Sequence, residues 1–104
     1  MALKNDNAFT VILTISTTPD KISAIADLWQ KSVTTNAKLS PGFLSASLAE
    51  SEDGKELVAV TRWKDRESFL ENRRSESGRA MAQIAMEYHP KIVFVKSIRT
   101  VSLE

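Results

Sequence analysis

The sequence contains no cysteine and only one histidine, His89. Without cysteine the chain can form no disulfide, no thiolate nucleophile and no cysteine-based metal site. Zinc, iron and copper sites usually need several nitrogen or sulfur ligands, which a single histidine does not supply. The sequence therefore predicts that the protein holds no metal.

Glycine is also scarce, and the three glycines (Gly42, Gly54 and Gly78) are isolated from one another. A phosphate-binding loop or a dinucleotide-binding fingerprint needs glycines at fixed, close spacing. The serines and threonines are plentiful, but none lies in the context of a hydrolase nucleophile elbow. Kinase, nicotinamide-dependent and hydrolase functions therefore lack support, and no cofactor is predicted.

The chain has no strong excess of charge of either sign, and it has no long apolar run. The 14 basic and 13 acidic residues leave a net charge of +1, which argues against a nucleic-acid or membrane-surface partner. No segment approaches the roughly 18 apolar residues of a membrane span, and the first residues lack the apolar run of a signal peptide. We expect a cytoplasmic protein in which residues 1–104 form one domain, with its core at about residues 9–101.

β-branched and aromatic residues predict four strands, at residues 9–16, 43–50, 56–63 and 92–101. Asp53-Gly54, between the second and third strands, is a typical hairpin turn.

Three helices are predicted between these strands. The first begins at Thr18-Pro19-Asp20 and buries a stripe formed by Ile22, Ile25, Ala26, Trp29, Val33 and Ala37. The second is capped by Asp65 and is interrupted by Ser75, Ser77 and Gly78. The third ends before Pro90 and carries on one face Met81, Ile84, Ala85 and Tyr88. The order β-α-β-β-α-α-β predicts an α+β, ferredoxin-like fold with helices on one face of an antiparallel sheet.

Both faces of the predicted strands carry apolar side chains. In the third strand, one face has Leu57, Ala59 and Trp63, and the other has Val58 and Val60. Helices can cover one face, whereas a solvated second face would alternate to polar residues. We therefore predict a homodimer in which a second copy covers the other face. The alternative is a strand order that buries both faces within one chain.

Aromatic and amphipathic side chains are the remaining candidates for a site. Trp63 ends the third strand, where an indole can be a pocket wall or a plain core residue. Trp29 lies on the stripe of the first helix, which favours packing. Tyr88 either packs in the core or aims its hydroxyl into a cavity, and His89 is either a surface residue or a general base. Met81 is an adaptable side chain that could contact a ligand.

Four short motifs occur in order along the chain. They are Pro41-Gly42-Phe43 before the second strand, Asp53-Gly54 in the hairpin, Trp63 at the end of the third strand, and Glu67-Ser68-Phe69 in the next helix. With this element order, residues 9–100 resemble the antibiotic biosynthesis monooxygenase family, whose members are dimeric α+β barrels of two ferredoxin-like subunits. The resemblance implies a cleft between sheet and helices in each subunit, with the two sheets packed together in the dimer.

The resemblance also implies a chemistry, because the better-known members oxidise hydroquinones or polycyclic anthrones with O₂ and use no metal, flavin or other cofactor. In the anthrone-oxidising branch, an asparagine and a tyrosine accompany the tryptophan that matches Trp63. Here Ala59 and Phe69 occupy those two positions. The heme-degrading branch adds an iron-ligating histidine on the next helix, and residues 79–82 contain none. Only Trp63 is therefore carried over from either pattern.

The sequence thus predicts a cofactor-independent monooxygenase that acts on an aromatic or quinol-type small molecule. Tyr88 and His89 are the only candidates for a proton acceptor. The alternative is a non-catalytic protein, for small-molecule binding or a stress response, that uses the same cleft.

The predicted substrate cavity lies on the helix side of the sheet, apart from the dimer interface. Trp63 forms one wall, beside the small side chains of Ala59 and Thr61, which leave volume unfilled. The opposite wall is predicted to come from the further substrate-binding residues Phe69, Met81 and Tyr88.

Overall fold

A computed structural model describes residues 2–36 and 39–103 of the chain. The elements are β1 (Ala2–Asp6), β2 (Phe9–Ser16), α1 (Ile22–Thr35), β3 (Phe43–Glu50), β4 (Glu56–Trp63), α2 (Arg66–Arg74), α3 (Glu76–Met86), β5 (Lys91–Val95) and β6 (Ile98–Ser102). The predicted stripe residue Ala37 lies outside the described residues.

A four-stranded antiparallel sheet, in the order β3-β4-β2-β5, forms the centre of the fold. This strand order, with α1 to α3 on one face, confirms the predicted α+β ferredoxin-like fold. The hairpin between β3 and β4 turns at Gly54, whose φ of +72° suits glycine. Asp53 stabilises the turn by accepting hydrogen bonds from the Ser51 hydroxyl at 2.7 Å and the Lys55 N–H at 3.0 Å.

The face of the sheet that meets the helices is the buried one. Alternate residues of β2 and β4 point to this face, where Val11, Ile15, Leu57, Ala59 and Trp63 are all at most 6% exposed. Ile22 and Ile25 of α1 pack against Ile15 and Leu57 in the same cluster. None of the helices within the described ranges is both long and apolar enough to cross a membrane.

The start of the first helix differs from the prediction. Thr18, Pro19 and Asp20 form a turn, in which the Thr18 carbonyl accepts hydrogen bonds from the N–H groups of Lys21 and Ile22, both at 3.0 Å. The Thr18 hydroxyl also hydrogen-bonds the Asp20 carboxylate and lowers the pKa of that group. The side-chain bond between Thr18 and Asp20 favours the turn over a helical start, and α1 begins at Ile22.

The boundary between α2 and α3 also differs. Ser75 is the cap of α3, since its hydroxyl accepts the Gly78 N–H at 3.1 Å. Ser77 and Gly78, predicted to interrupt the helices, therefore lie inside α3. A Cβ on Gly78 would collide with the Asn72 carbonyl oxygen and lie 3.0 Å from the Arg73 Cα. Glycine at this position lets α3 approach the end of α2, rather than breaking a helix.

The two ends of the chain form an element that the sequence did not reveal. Residues 92–101, predicted as one strand, are two strands separated at Lys96 and Ser97. Only β5 joins the main sheet, while β6 pairs antiparallel with the unpredicted β1 in a separate two-stranded ribbon. In this ribbon Leu3 pairs with Val101, and their side chains are 81% and 59% exposed.

Candidate functional site

A cavity of about 180 Å³ lies between the central sheet and the helices. Residues of β2, β3 and β4 line its floor, and residues of α1, α2 and α3 line its sides. A dry apolar cavity of roughly 150 Å³ is large enough for benzene. The space therefore suits a single aromatic ring, or one ring of a larger fused system.

Trp63 forms a rigid wall of this cavity. Its side chain is 2% exposed and contacts the rings of Phe43 and Phe69 edge-on, with centroid distances of 5.4 and 5.9 Å. Its indole N–H donates a hydrogen bond to the Thr61 hydroxyl oxygen at 3.1 Å. The polar atom of the indole is thus held by the protein, and the ring borders the cavity with almost all of its surface packed against neighbouring side chains.

Small side chains on β4 leave the volume beside this wall. Ala59 lies between Leu13 of β2 and Leu48 of β3 in the sheet register, and all three residues line the cavity. Thr61 lies two residues after Ala59 on the same face of β4, and it pairs in register with Val11 of β2. The floor of the cavity is therefore apolar except at the Thr61 hydroxyl.

The first turn of α2 positions Phe69. The Ser68 hydroxyl and backbone N–H donate to the Asp65 carboxylate at 2.7 and 2.8 Å, and these bonds hold the pKa of Asp65 below its usual value. Gly42, with a φ of +85°, lies against Ser68, where a Cβ would collide with the serine side chain. The Gly42 carbonyl accepts the Lys64 N–H at 2.7 Å. Gly42 of the Pro-Gly-Phe motif thus holds the segment before β3 against the first turn of α2.

The structure brings together three of the four predicted substrate-binding residues. Trp63, Phe69 and Met81 all line the cavity. Tyr88 lies outside the lining because α3 ends at Met86, which takes Tyr88 off the helical stripe. Tyr88 instead packs against the cluster of Ile15 and Leu57, and its carbonyl accepts the Ser16 N–H at 3.1 Å.

His89, the other predicted proton-acceptor candidate, is exposed and has a φ of +50°. Neither His89 nor Tyr88 lines the cavity. Across residues 2–36 and 39–103, the lining residues with polar side chains include no carboxylate and no imidazole; they are Trp29, Ser32, Asn36, Thr61, Trp63, Asn72 and Arg73. Nor do the described residues include a group of three or more His, Asp or Glu side chains placed to hold a metal ion.

Several lining residues were missed by the sequence analysis. Trp29, interpreted as packing, lines the cavity, as do the amide side chains of Asn36 and Asn72. Asn72 donates a hydrogen bond to the Ser40 hydroxyl at 2.9 Å and so links α2 to the segment before β3. The position of Trp29 on the helical stripe was a usable signal, whereas nothing local distinguishes a lining asparagine from a surface one.

Arg73 also lines the cavity, although its sequence neighbour Arg74 does not. Arg74 forms an exposed ion pair with Glu67 at 3.1 Å on the outer side of α2. Both arginines are exposed, and of the two only Arg73 borders the cavity.

Comparison with known proteins finds a matching family model and several solved structures of similar fold. The family model described as "Antibiotic biosynthesis monooxygenase" matches residues 8–83. No curated protein sequence matches the chain.

Three solved structures illustrate the likeness of fold. A monooxygenase from the gene ActVA-Orf6 of Streptomyces coelicolor, in complex with the ligand nanaomycin D, is 23% identical, with a TM-score of 0.75 and coverage of 93% of this chain and 92% of that one. Rv0793 from Mycobacterium tuberculosis is 24% identical, with a TM-score of 0.68 and 97% of each chain covered. A conserved protein from Methanosarcina mazei Go1 is 17% identical, with a TM-score of 0.76 and coverage of 86% and 91%. At these identities the likeness establishes the fold.

Proposed function

The chain belongs to the antibiotic biosynthesis monooxygenase family, and on this premise we propose that it is a cofactor-independent monooxygenase of an aromatic or quinol-type small molecule. The observation that supports this most directly is the apolar cavity walled by Trp63, Phe69 and Met81. A planar, electron-rich ring fits such an apolar space.

The proposed reaction needs little chemistry from the protein. An electron-rich aromatic substrate, once deprotonated, passes an electron to O₂, and the two radicals then combine. For a methylene group between aromatic rings, one oxygen atom becomes the new carbonyl, and the other leaves as water with the two methylene hydrogens. The protein contributes the orientation of the ring in an apolar site.

The substrate is proposed to give its proton to solvent water and to occupy the cavity as its delocalised anion. Tyr88 and His89 lie outside the lining, and the ionisable group among the described lining residues is the Arg73 guanidinium. A guanidinium stays protonated and stabilises a nearby anion rather than accepting a proton. Quinols and anthrones, whose anions are delocalised, suit a cavity of this kind.

The protein is further proposed to act as a homodimer, as a single domain in the cytoplasm. On the face of the sheet away from the helices, Ile12 pairs in register with Val60 and Val93, and Val93 is 44% exposed. Leu3 and Val101 of the separate ribbon are also exposed apolar residues, and they are proposed to take part in the same interface. A second copy would bury these side chains, in an interface above roughly 1,200 Å² in total.

Oxygen uptake tests the proposed activity. Hydroquinones and anthrones are added to the purified protein in an oxygen electrode, with heat-denatured protein as the control for autoxidation. We expect catalysed O₂ consumption by at least one compound, with one oxygen atom of O₂ incorporated into the product, such as the new carbonyl of an anthrone. Binding of these compounds without any increase in O₂ uptake would contradict the proposal.

A non-catalytic binding protein is the second candidate. It is favoured by Ala59 and Phe69, which stand where the resemblance places the asparagine and tyrosine of the anthrone-oxidising branch. Under this function the same cavity binds an apolar ligand tightly, and the ligand is recovered chemically unchanged.

A further inference from the structure

We propose that the Thr61 hydroxyl is the hydrogen-bond donor that recognises a carbonyl or phenolate oxygen on the bound aromatic ligand. This inference deepens the proposed function, because it assigns a specificity-determining residue and a ligand class to the same cavity. It begins from the contact between Thr61 and Trp63.

The indole N–H of Trp63 donates to Thr61 Oγ1 at 3.1 Å. An indole nitrogen can only donate, so the threonine oxygen is the acceptor in this bond. A hydroxyl has one hydrogen of its own to donate as well. Within residues 2–36 and 39–103, no acceptor receives that hydrogen.

Thr61 presents this unused donor in apolar surroundings. It lines the cavity, and in the sheet its neighbours in register are Val11 of β2 and Ala46 of β3. A hydroxyl hydrogen without a partner is unfavourable in an apolar site, so a ligand that supplies an acceptor gains from pairing with it.

The bond from Trp63 also strengthens the donor. When an oxygen accepts one hydrogen bond, its own O–H becomes more polarised and a better donor. Trp63 borders the same cavity beside Thr61, so a ligand oxygen paired with Thr61 would place the attached ring among the aromatic side chains of Trp63 and Phe69. The chemical class that meets both contacts is an aromatic ring bearing a carbonyl or phenolate oxygen.

The test compares two probes of similar shape, 1,4-naphthoquinone and naphthalene, by titration calorimetry. The quinone only accepts hydrogen bonds, and naphthalene neither accepts nor donates conventional ones. Thr61→Val keeps the shape of the side chain but also removes the acceptor of the Trp63 N–H, so the same substitution is made in Trp63→Phe, which lacks that donor. In both backgrounds we expect binding of naphthoquinone to weaken by about fivefold to tenfold, the effect of one lost hydrogen bond. Naphthalene binding should change by less than about twofold, on the same reasoning that no hydrogen bond is lost.

Thr61→Ser is the matched control, because it keeps the hydroxyl and loses only a methyl group. We expect it to retain the preference for naphthoquinone over naphthalene. Equal weakening of both probes in Thr61→Val would show a packing effect and overturn the assignment, as would unchanged binding of naphthoquinone. Failure of the protein itself to bind naphthoquinone would overturn the ligand class.

The outcome is separable from that of the proposed activity. The readout is binding, so absence of O₂ uptake with every quinol and anthrone would refute the monooxygenase while leaving the Thr61 contact standing. Conversely, O₂ uptake by a Thr61→Val variant with undiminished naphthoquinone affinity would refute only the role of Thr61.

Discussion

The guanidinium of Arg62 holds the carboxylate of Asp6 through two contacts to the same oxygen, from Nη2 at 2.6 Å and from Nε at 2.7 Å. Arg62 lies between Thr61 and Trp63 in β4, so its side chain points to the opposite face of the sheet from theirs. Consecutive residues of one strand therefore serve two purposes. Thr61 and Trp63 line the cavity, and Arg62 ties the end of β1 to the sheet.

Asp6→Asn should weaken the attachment of the ribbon in a pH-dependent way. The Ala8 N–H donates to Asp6 Oδ1 at 3.0 Å, and this bond, together with Arg62, holds the pKa of Asp6 below its usual value. Because the pKa is lowered in the folded state, the stabilisation is present above the ordinary Asp pKa and is lost as the pH falls through the folded value.

Thermal unfolding of Asp6→Asn and the unchanged protein, at neutral pH and in acid, measures this effect. We expect the variant to unfold at a lower temperature at neutral pH and the difference to shrink in acid. A difference that is the same at both pH values would show that the carboxylate charge of Asp6 is not involved.

Val101→Asp should dissociate the proposed dimer. Val101 and its partner in register Leu3 are exposed apolar residues of the ribbon, and a buried carboxylate at such an interface is costly to desolvate. Light scattering coupled to gel filtration should give about twice the chain mass of 11.6 kDa for the unchanged protein and the chain mass for the variant.

The control for this prediction is Leu28→Asp. Leu28 lies on α1, is 39% exposed and is outside the cavity lining. The variant should remain dimeric. A monomeric unchanged protein at high concentration would refute the dimer, and dissociation of both variants would show a general loss of folding.

The central strands were predictable because local signals agreed there. The strands 9–16, 43–50 and 56–63 have the predicted bounds, since β-branched residues, alternation and the Asp53-Gly54 turn all indicate the same structure. The C-terminal segment gave a misleading signal. Apolar residues continue on both sides of Lys96, and periodicity alone does not show that the chain changes sheets at that point.

The site was predictable where it depends on strand alternation, and less so where it depends on helix ends. Because side chains alternate between the two faces of a strand, the sequence alone places Trp63 on the same face as Thr61. Tyr88 was assigned to the site because it continued the stripe of α3, and the helix ends two residues before it. Asn72 and Arg73 line the cavity through the close approach of α2 and α3, which is a tertiary contact without a local sequence signal.

Gly78→Ala should destabilise the protein even though alanine favours helix. In an exposed helix the change would stabilise by about 1 kcal/mol. Here the added Cβ meets the Asn72 carbonyl at the approach of α3 to α2, and overpacking of this kind costs about 1–3 kcal/mol. Denaturant unfolding should therefore give a lower free energy of unfolding for the variant.

Ala80→Gly is the comparison for this effect, because Ala80 is an exposed position of the same helix. Its free energy of unfolding should fall only by the difference in helix propensity between alanine and glycine, about 1 kcal/mol. If Gly78→Ala instead raised the free energy of unfolding, the close contact between the two helices would be disproved.

Trp63→Phe should weaken ligand binding and leave the dimer intact. The substitution removes the indole N–H that donates to Thr61 and enlarges the cavity next to Phe43 and Phe69, while Arg62 and the opposite face of the sheet are untouched. For a residue that is 2% exposed, we expect a loss of about 1–3 kcal/mol in the free energy of unfolding. Calorimetry with 1,4-naphthoquinone should show weaker binding, and light scattering should show an unchanged mass. A variant that becomes monomeric yet keeps its affinity for the quinone would place Trp63 at the interface rather than at the cavity.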